Sequence, residues 1–227
     1  MSAYYNEIDP YAAQWLRNLI AAGHIAPGDV DERSIEDVQP DDVRGYTQCH
    51  FFAGIGGWSL ALRLAGWPDT REVWTGSCPC QPFSSAMRGR STAADRWPAF
   101  SRMVVGCRPR VLFGEQVASA GHWFDGVCDD LEAVGYALGA AVLPAVAVGA
   151  DHARHRLYFA GHAHGHGESG RAVDAEAPRL SWDRGDAERV VSANGVSSGV
   201  AQLRAFGNAI VPAVAAEFIG AYLEVTV

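Results

Sequence analysis

The sequence predicts an α/β domain with a doubly wound, mainly parallel sheet of the Rossmann type. Short apolar runs alternate with amphipathic helical segments along most of the chain, which is typical of a parallel sheet covered by helices. One of these runs leads through a glycine-rich turn into a helix. The 227 residues, 48% of them hydrophobic and 19% charged, are enough to build a sizeable buried core.

The N-terminal segment contains one predicted strand and one predicted helix. We expect a short strand from Ser2 to Asn6. A helix is expected from Pro10 to Ala22, because apolar residues recur there at helical spacing and Gly23 supplies a stop. The acidic stretch from Asp29 to Asp42 predicts a loop around one short apolar pair.

A strand, a glycine turn and a helix then follow in direct succession. Cys49 to Ala53 is a compact apolar run, Gly54 to Gly57 is the turn, and Trp58 to Ala65 is an amphipathic helix. Glycines let the backbone approach a ligand, and the helix N-terminus offers free N–H groups. Taken alone, a turn needed for tight packing is the better explanation, because the spacing differs from the dinucleotide fingerprint.

The alternation of strands and helices continues to the end of the chain. The further predicted strands are Val73 to Gly76, Arg110 to Phe113 and Arg156 to Ala160, and the further predicted helices are Pro98 to Val105, Phe124 to Val134 and Pro212 to Leu223. Gly161 to Gly199 differs, because it is rich in Gly, His, Ser and Asp and predicts an irregular insertion. Its alternating His162, His164 and His166 favour a low-complexity loop over a metal site, since no Cys or acid completes a ligand set.

Charge places a condition on any nucleic-acid partner. The formal net charge of −8 repels phosphate, so a DNA contact requires a local basic patch. A cluster of arginines in the middle of the chain fits either such a patch or a solvated basic face. Its members are Arg88, Arg90, Arg96, Arg102, Arg108 and Arg110.

The chain carries no membrane or secretion signal. No apolar run approaches the roughly 20 residues of a membrane helix. The N-terminus lacks a basic segment followed by an apolar stretch and a cleavage site. We therefore expect a cytoplasmic protein without membrane contact, in which the five cysteines are free thiols.

The loop from Gly76 to Ser84 packs two prolines and two cysteines after a predicted strand. Cys78 and Cys80 fit a pair of buried thiols, and a metal knuckle would need further ligands. Neither explanation accounts for the prolines. A thiol held rigidly at the end of a strand, near arginines that favour its thiolate, is what a nucleophilic cysteine requires.

One acid and two arginines accompany this loop. Glu115 follows the predicted strand Arg110 to Phe113, where it would either cap the next helix or meet Cys80 across the sheet edge. Arg154 and Arg156 precede and enter another strand, and alternation sends them to the same side. Paired guanidinium groups suit a phosphate or a base edge, although surface arginines are common.

Five motifs, in this order, resemble those of the DNA cytosine-5 methyltransferase family. The resemblance spans residues 49–160 and 203–223. The matching segments are the donor-binding turn Phe52 to Gly57, the catalytic loop Pro79-Cys80-Gln81, the acidic element Glu115-Gln116-Val117, the arginine element His152 to Arg156 and the last element Gly207 to Pro212.

The chain departs from the family pattern in ways that affect the site. Gln116 stands where the family usually has Asn, and His152 stands where it usually has Gln. The family's acid between the donor turn and the catalytic loop is missing. The N-terminal block offers a substitute, because Glu7 lies in a segment that looks like this acidic element, and Ser34 replaces the usual Asp of the adenine-contacting element. We interpret the chain as locally permuted; the alternative is an unrelated leader helix.

The resemblance implies a DNA (cytosine-5-)-methyltransferase that uses S-adenosylmethionine and acts on a cytosine flipped out of DNA. Cys80 would be the nucleophile and Glu115 would stabilise its adduct. Arg154 and Arg156 would orient the base and the loop. The residues expected to line the donor site are Phe52, Gly54, Gly56, Gly57, Glu7, Ser34 and Asn208.

We expect residues 1–160 and 203–227 to form the catalytic domain, and residues 161–202 to be a reduced target-recognition segment. Family members usually carry a larger recognition domain at this place, so sequence specificity is expected to be loose. Two alternatives stay open. One is a catalytically weak DNA-binding or decoy relative, and the other is the same chemistry on single-stranded DNA or a cytosine nucleotide. The recognition sequence and the oligomeric state do not follow from the sequence.

Overall fold

Seven strands form one sheet in the computed structural model, which describes residues 2–79, 95–164 and 209–226. The strands are β1 (Ala3–Asn6), β2 (Gly28–Asp31), β3 (Gln48–Phe51), β4 (Val73–Gly76), β5 (Val111–Val117), β6 (Tyr136–Pro144) and β7 (His155–Ala163). The helices are α1 (Pro10–Ala21), α2 (Pro40–Val43), α3 (Gly57–Leu64), α4 (Trp97–Cys107), α5 (Gly121–Glu132) and α6 (Pro212–Thr226), with a short 3₁₀ helix at Ala145–Val148.

The strand order is β2-β1-β3-β4-β5-β7-β6, and it places the glycine turn at the centre of the sheet. The first five strands in this order are parallel, and β7 is antiparallel to both β5 and β6. This arrangement confirms the predicted doubly wound, mainly parallel fold.

The chain reaches this sheet by a permuted route. In the usual doubly wound order, 3-2-1-4-5-6, the glycine turn follows strand 1. Here the turn follows β3, which stands where strand 1 stands in the usual order. β1 and β2 stand where strands 2 and 3 stand, although they come earlier in the chain than β3. The two strands that usually follow the glycine turn therefore precede it.

Two strands were not predicted, and two others, β5 and β7, extend further than predicted. The stretch from Asp29 to Asp42 was predicted to be a loop, but it contains the last three residues of β2 and the short helix α2. β2 lies at the sheet edge, is half-exposed and pairs with β1 through its backbone, so it needs no apolar run. β6 was not predicted, because this mostly half-buried strand is rich in Ala and Gly, which have low strand propensity.

The buried side chains alternate between the two faces of the sheet. On one face, Leu112 belongs to a cluster that includes Phe100 of α4 and Leu131 of α5. On the other, Phe113 belongs to a cluster that includes Trp58 of α3 and residues of α6. A third cluster joins β1 to α1. The sheet is thus covered on both faces, as a parallel sheet requires.

The predicted irregular segment from Gly161 begins as a strand, since β7 continues to Ala163. His162 Nδ1 lies 2.6 Å from the Tyr222 hydroxyl, and His164 ends the described part of this region. The rest of the predicted recognition segment lies outside the described residues. Within the described ranges, no helix is long and apolar enough to cross a membrane.

Gly28 is expected to be essential for docking β2. A Cβ atom at this position would lie 1.9 Å from the backbone oxygen of Ala3 in β1, and backbone cannot move aside as a flexible side chain can. The substitution Gly28→Ala is therefore expected to destabilise the protein by about 1–3 kcal/mol and to lower Tm by roughly 2–10 °C.

A thermal unfolding curve measures this effect, with Gly45→Ala as the matched control. A Cβ atom at Gly45 would meet nothing within 4 Å, so this variant is expected to melt like the wild-type protein. Equal Tm values for the two variants would contradict the tight β1–β2 contact.

Candidate active site

The carboxyl ends of the parallel strands meet at one edge of the sheet, where most of the predicted site residues lie. Glu7 directly follows β1, Ser34 lies shortly after β2, and the glycine turn follows β3. Ser77 follows β4, and Glu115 lies in β5 just beyond its last pair with β4. Ligands of doubly wound sheets bind at this edge.

The glycine turn has one open side and one packed side. Gly54 and Gly56 have φ values of 55° and 83°, which glycine adopts without strain. A Cβ atom at Gly54 would meet nothing within 4 Å, so the backbone there is open to a ligand. A Cβ atom at Gly56 would lie 3.2 Å from the side chain of Ile25, and one at Gly57 would lie 2.7 Å from the side chain of Ile210. Packing therefore also explains the last two glycines.

Phe52 begins this turn in an unusual conformation. Its φ is 53°, a left-handed value that is uncommon for a non-glycine residue. Its half-buried ring meets the ring of Phe100 edge-on, with centroids 6.2 Å apart. The core thus holds this strained backbone in place beside the open side of the turn.

Glu7 connects the N-terminal block to the glycine turn. Its Oε2 accepts a hydrogen bond from the Gly54 N–H at 2.7 Å, and its Oε1 accepts one from the Asp9 N–H at 2.9 Å. Burial raises the pKa of Glu7, and these two hydrogen bonds act in the opposite direction. A carboxylate accepts more than two hydrogen bonds, so acceptor sites remain for ligand hydroxyl groups. The fold brings these two predicted donor-site residues together.

The loop that carries Ser34 is held from two sides. Asn6 at the end of β1 donates from Nδ2 to the Arg33 carbonyl at 2.8 Å. From α4, the Arg102 guanidinium donates to several loop carbonyls at 3.0–3.3 Å. The accepting carbonyls belong to Ile35, Glu36 and Val38. The half-buried Ser34 is thereby fixed near the ends of β1 and β2.

The described arginines of the predicted basic cluster mostly serve the chain itself. Arg96 forms an ion pair with Glu36, Arg102 holds the Ser34 loop, and Arg108 donates to the Val134 carbonyl at 2.8 Å. The cluster therefore offers less free charge to DNA than the sequence suggests. The members outside the described residues are Arg88 and Arg90.

Glu115 is a buried acid with charged partners. Its side chain is 7% exposed, and its Oε1 lies 2.9 Å from Arg156 Nε. Burial raises the pKa of Glu115, while Arg156, Arg154 and a hydrogen bond from the Ser77 hydroxyl act in the opposite direction. The helix-capping alternative is wrong, because Glu115 lies inside β5 and the next helix begins at Gly121.

Arg156 in β7 and Arg154, which directly precedes this strand, have separate partners. Arg156 pairs with Glu115, whereas Arg154, with a φ of 21°, donates from Nη2 to the Ala209 carbonyl at 2.8 Å. Ala209 directly follows Asn208, a predicted donor-site residue that lies outside the described ranges. Arg154 thus ties the arginine element to the last element.

The start of the cysteine loop is packed against β5. Cys78 is buried, as the packing explanation predicts, and burial raises the pKa of its thiol. Its carbonyl accepts a hydrogen bond from Gln116 Nε2 at 3.2 Å. Gln116, a departure from the family pattern, therefore holds the loop that leads through the exposed Pro79 to Cys80. Cys80 itself lies outside the described residues.

Sequence reasoning missed two residues next to Glu115. Trp58, in the first turn of α3, donates from its indole N–H to the Ser77 hydroxyl at 2.9 Å. Ser77 lies beside Glu115, because the two residues directly follow the paired Gly76 and Gly114. A hydroxyl directly between Gly76 and Cys78 was the available signal. In the described ranges, no three His, Cys, Asp or Glu side chains are grouped closely enough to hold a metal ion.

Comparisons with known proteins identify a family and similar solved structures. The family model of C-5 cytosine-specific DNA methylase matches residues 67–183, just over half of the chain. No curated protein matches the chain. A variant of DNMT2 from Spodoptera frugiperda matches with a TM-score of 0.51 and 13% identity, covering 75% of this chain and 45% of that one. The methyltransferase EhMeth of Entamoeba histolytica matches with a TM-score of 0.45 and 12% identity, covering 73% and 46%.

The matches to solved structures cover only part of those proteins. The DNMT2 match shows the methyltransferase type of Rossmann-like fold, and the chain spans less than half the length of either solved structure. The family match begins after the glycine turn, so it does not cover the contact between Glu7 and Gly54.

The Arg102 contacts make a prediction about the Ser34 loop. Arg102→Ala removes one guanidinium group that serves three carbonyls, so we expect a loss of about 1–3 kcal/mol in local stability. Hydrogen exchange of residues 33–39 should become faster while the centre of the sheet stays protected.

Arg44→Ala is the matched control for this experiment. Arg44 forms an exposed ion pair with Asp41, and such pairs contribute about 0–1 kcal/mol. Exchange in the loop should be unchanged in this variant. Equal exchange rates in the two variants would show that Arg102 does not hold the loop.

Proposed function

Because the chain belongs to the C-5 cytosine-specific DNA methylase family, we propose that it transfers a methyl group from S-adenosylmethionine to carbon 5 of cytosine in DNA. One observation carries the proposal. Glu115 is buried and paired with Arg156 at the sheet edge, one strand away from the loop that leads to Pro79 and Cys80.

The donor side of the edge fits S-adenosylmethionine. Gly54 has open space where a side chain would stand, and Glu7 keeps acceptor sites for ribose hydroxyl groups. Around them, the other residues proposed to hold the donor are Phe52, Gly56, Gly57, Ser34 and Asn208. When bound, S-adenosylmethionine supplies an electrophilic methyl group.

The acid side of the edge suits a flipped cytosine. A cytosine inside a duplex is inaccessible, so the base would leave the stack to reach the pocket. The Cys80 thiolate would add to carbon 6, and this bond makes carbon 5 electron-rich. Glu115 would hold a proton at the ring nitrogen and hydrogen-bond the amino group.

Release completes the proposed cycle. Carbon 5 takes the methyl group and S-adenosylhomocysteine leaves. Carbon 5 would then lose its proton to a water molecule, and the electron pair of that C–H bond forms the C5–C6 double bond as Cys80 Sγ leaves carbon 6 as a thiolate. The ring and the thiolate are thereby restored. Arg156 would keep Glu115 oriented throughout, and Arg154 would hold the last element through the Ala209 carbonyl.

The surroundings of Glu115 favour its protonated form. Burial raises its pKa, because the charged form loses hydration, and this favours the protonated acid. The neighbouring guanidinium groups limit the shift, so the acid can still release its proton.

A smaller substrate than duplex DNA is the second candidate. The net charge of −8 and the engagement of Arg96, Arg102 and Arg108 within the chain favour single-stranded DNA or a cytosine nucleotide. The buried pair of Glu115 and Arg156 supports an active enzyme over a decoy.

Methyl incorporation tests the function directly. Labelled S-adenosylmethionine is incubated with duplex DNA, single-stranded DNA and a cytosine nucleotide, and the label in 5-methylcytosine is counted. We expect incorporation by the wild-type protein and none by Cys80→Ala, while Cys78→Ala should keep its turnover and lose some stability. No incorporation into any of the three substrates would refute the proposal.

A trapping experiment isolates the covalent step. Fluorine at carbon 5 cannot leave as a proton does, so 5-fluorocytosine in the preferred substrate should trap a complex with the wild-type protein and donor. Cys80→Ala should trap nothing, and Cys78→Ala should trap normally. A complex formed by Cys80→Ala would rule out the proposed nucleophile.

Donor binding tests the permuted block. Glu7→Ala removes a carboxylate from the ribose side, which should weaken binding of S-adenosylhomocysteine about ten- to a hundredfold. Calorimetry measures the affinity, and a Tm close to the wild-type value would show that the fold is intact. Glu32→Ala, which removes an exposed partner of Arg17, is the control and should bind normally. Unchanged affinity in Glu7→Ala would exclude Glu7 from the donor site.

A further inference from the structure

A chain of side chains leads from the helix of the glycine turn to the buried acid. The Trp58 indole N–H donates to the Ser77 hydroxyl at 2.9 Å. Ser77 and Glu115 directly follow the paired residues Gly76 and Gly114, so they are neighbours on adjacent strands, and Ser77 acts to lower the pKa of Glu115. We propose that Ser77, oriented by the Trp58 indole, is a positioning residue that holds the Glu115 carboxyl group in its working orientation. The functional part of this inference rests on the proposed function.

The chemistry of the groups sets the direction of these hydrogen bonds. An indole N–H can donate but cannot accept. The Ser77 hydroxyl therefore accepts from Trp58, which leaves its own proton free for Glu115. The order of donors is thus Trp58 to Ser77 to Glu115, so the hydroxyl presents its proton to the carboxylate.

Trp58 is a rigid donor. Its side chain is 2% exposed, and its ring stacks on Phe113 with a centroid distance of 6.3 Å. Tyr158 closes the other side edge-on, at 6.2 Å. The indole cannot rotate without disturbing this cluster, so it fixes the Ser77 rotamer in turn.

Ser77 and Arg156 fix Glu115 from different elements. Arg156 approaches from β7 and Ser77 approaches from the end of β4. Among the described residues, the other titratable or charged groups that act on or pair with Glu115 are Arg154 and Tyr158. A carboxyl group bound by an ion pair alone can still rotate about its terminal torsion, and the second contact removes this freedom.

A titration without substrate tests the positioning. Carbon-13 NMR of the glutamate carboxyl groups, with Glu115 assigned by Glu115→Gln, follows this acid in the wild-type protein and the variants. Ser77 stabilises the ionised form, so Ser77→Ala should raise the pKa of Glu115. Ser77→Thr keeps the hydroxyl and should restore the wild-type titration. An unchanged titration in Ser77→Ala would overturn the proposal.

Trp58→Phe separates orientation from packing. Phenylalanine keeps most of the aromatic contact but lacks the N–H donor, so the Glu115 titration should move in the same direction as in Ser77→Ala. Ser59→Ala is the matched control, because Ser59 is also a hydroxyl on a buried hydrogen-bond chain but bonds Tyr5 and Ala26. Its Glu115 titration should not move. A shift in Ser59→Ala as large as in Ser77→Ala would attribute the effect to general loosening and overturn the proposal.

Kinetics then connect the positioning to methyl transfer. On the substrate that the wild-type protein methylates, Ser77→Ala should lower kcat about ten- to a hundredfold, while KM for S-adenosylmethionine stays within about twofold. A lowered affinity for the donor with unchanged kcat would overturn the catalytic part of the proposal. If no substrate is methylated, the proposed function fails, but the titrations still decide whether Ser77 positions Glu115.

Discussion

The pairing of β1 with β2 on one side and β3 on the other is the constraint on which the site depends. Asn6 is level with Asp31 in β2 and with Phe51 in β3, so the three strands end at the same height. Glu7, the Ser34 loop and the glycine turn therefore leave the sheet side by side. A shift of this register would move Glu7 away from Gly54 and break the hydrogen bond between them.

The acid side depends on a balance between burial and compensation. Glu115 lies beside a hydrophobic cluster that includes Phe113 and Tyr158, and burial in this environment disfavours its charged form. Arg156 and Ser77 favour the charged form from two different elements. A buried carboxyl group with such opposing neighbours can hold or release a proton at modest cost, which general acid chemistry requires.

Sequence patterns predicted the elements that bury apolar side chains and missed those held by backbone pairing. β4 was predicted to the residue because it is fully buried, whereas β2 and β6 carry little apolar signal. The family motifs assigned Glu115 and Arg156 to one site but did not predict the ion pair between them. The bond between Trp58 and Ser77 depends on rotamers and on how α3 lies across the sheet, and no local pattern encodes either. The placement of Cys80 stays a prediction.

The permuted order also determines when the fold can form during synthesis. β1 leaves the ribosome before β3, which begins at Gln48, yet it lies inside the sheet and needs that strand as a partner. Until then it can pair with β2 alone, and a two-stranded pair is marginally stable in water. At about 5–20 residues per second, this interval lasts a few seconds. In the nascent chain, the side of β1 that pairs with β3 therefore stays unpaired for longer than it would in a chain that makes its central strand first.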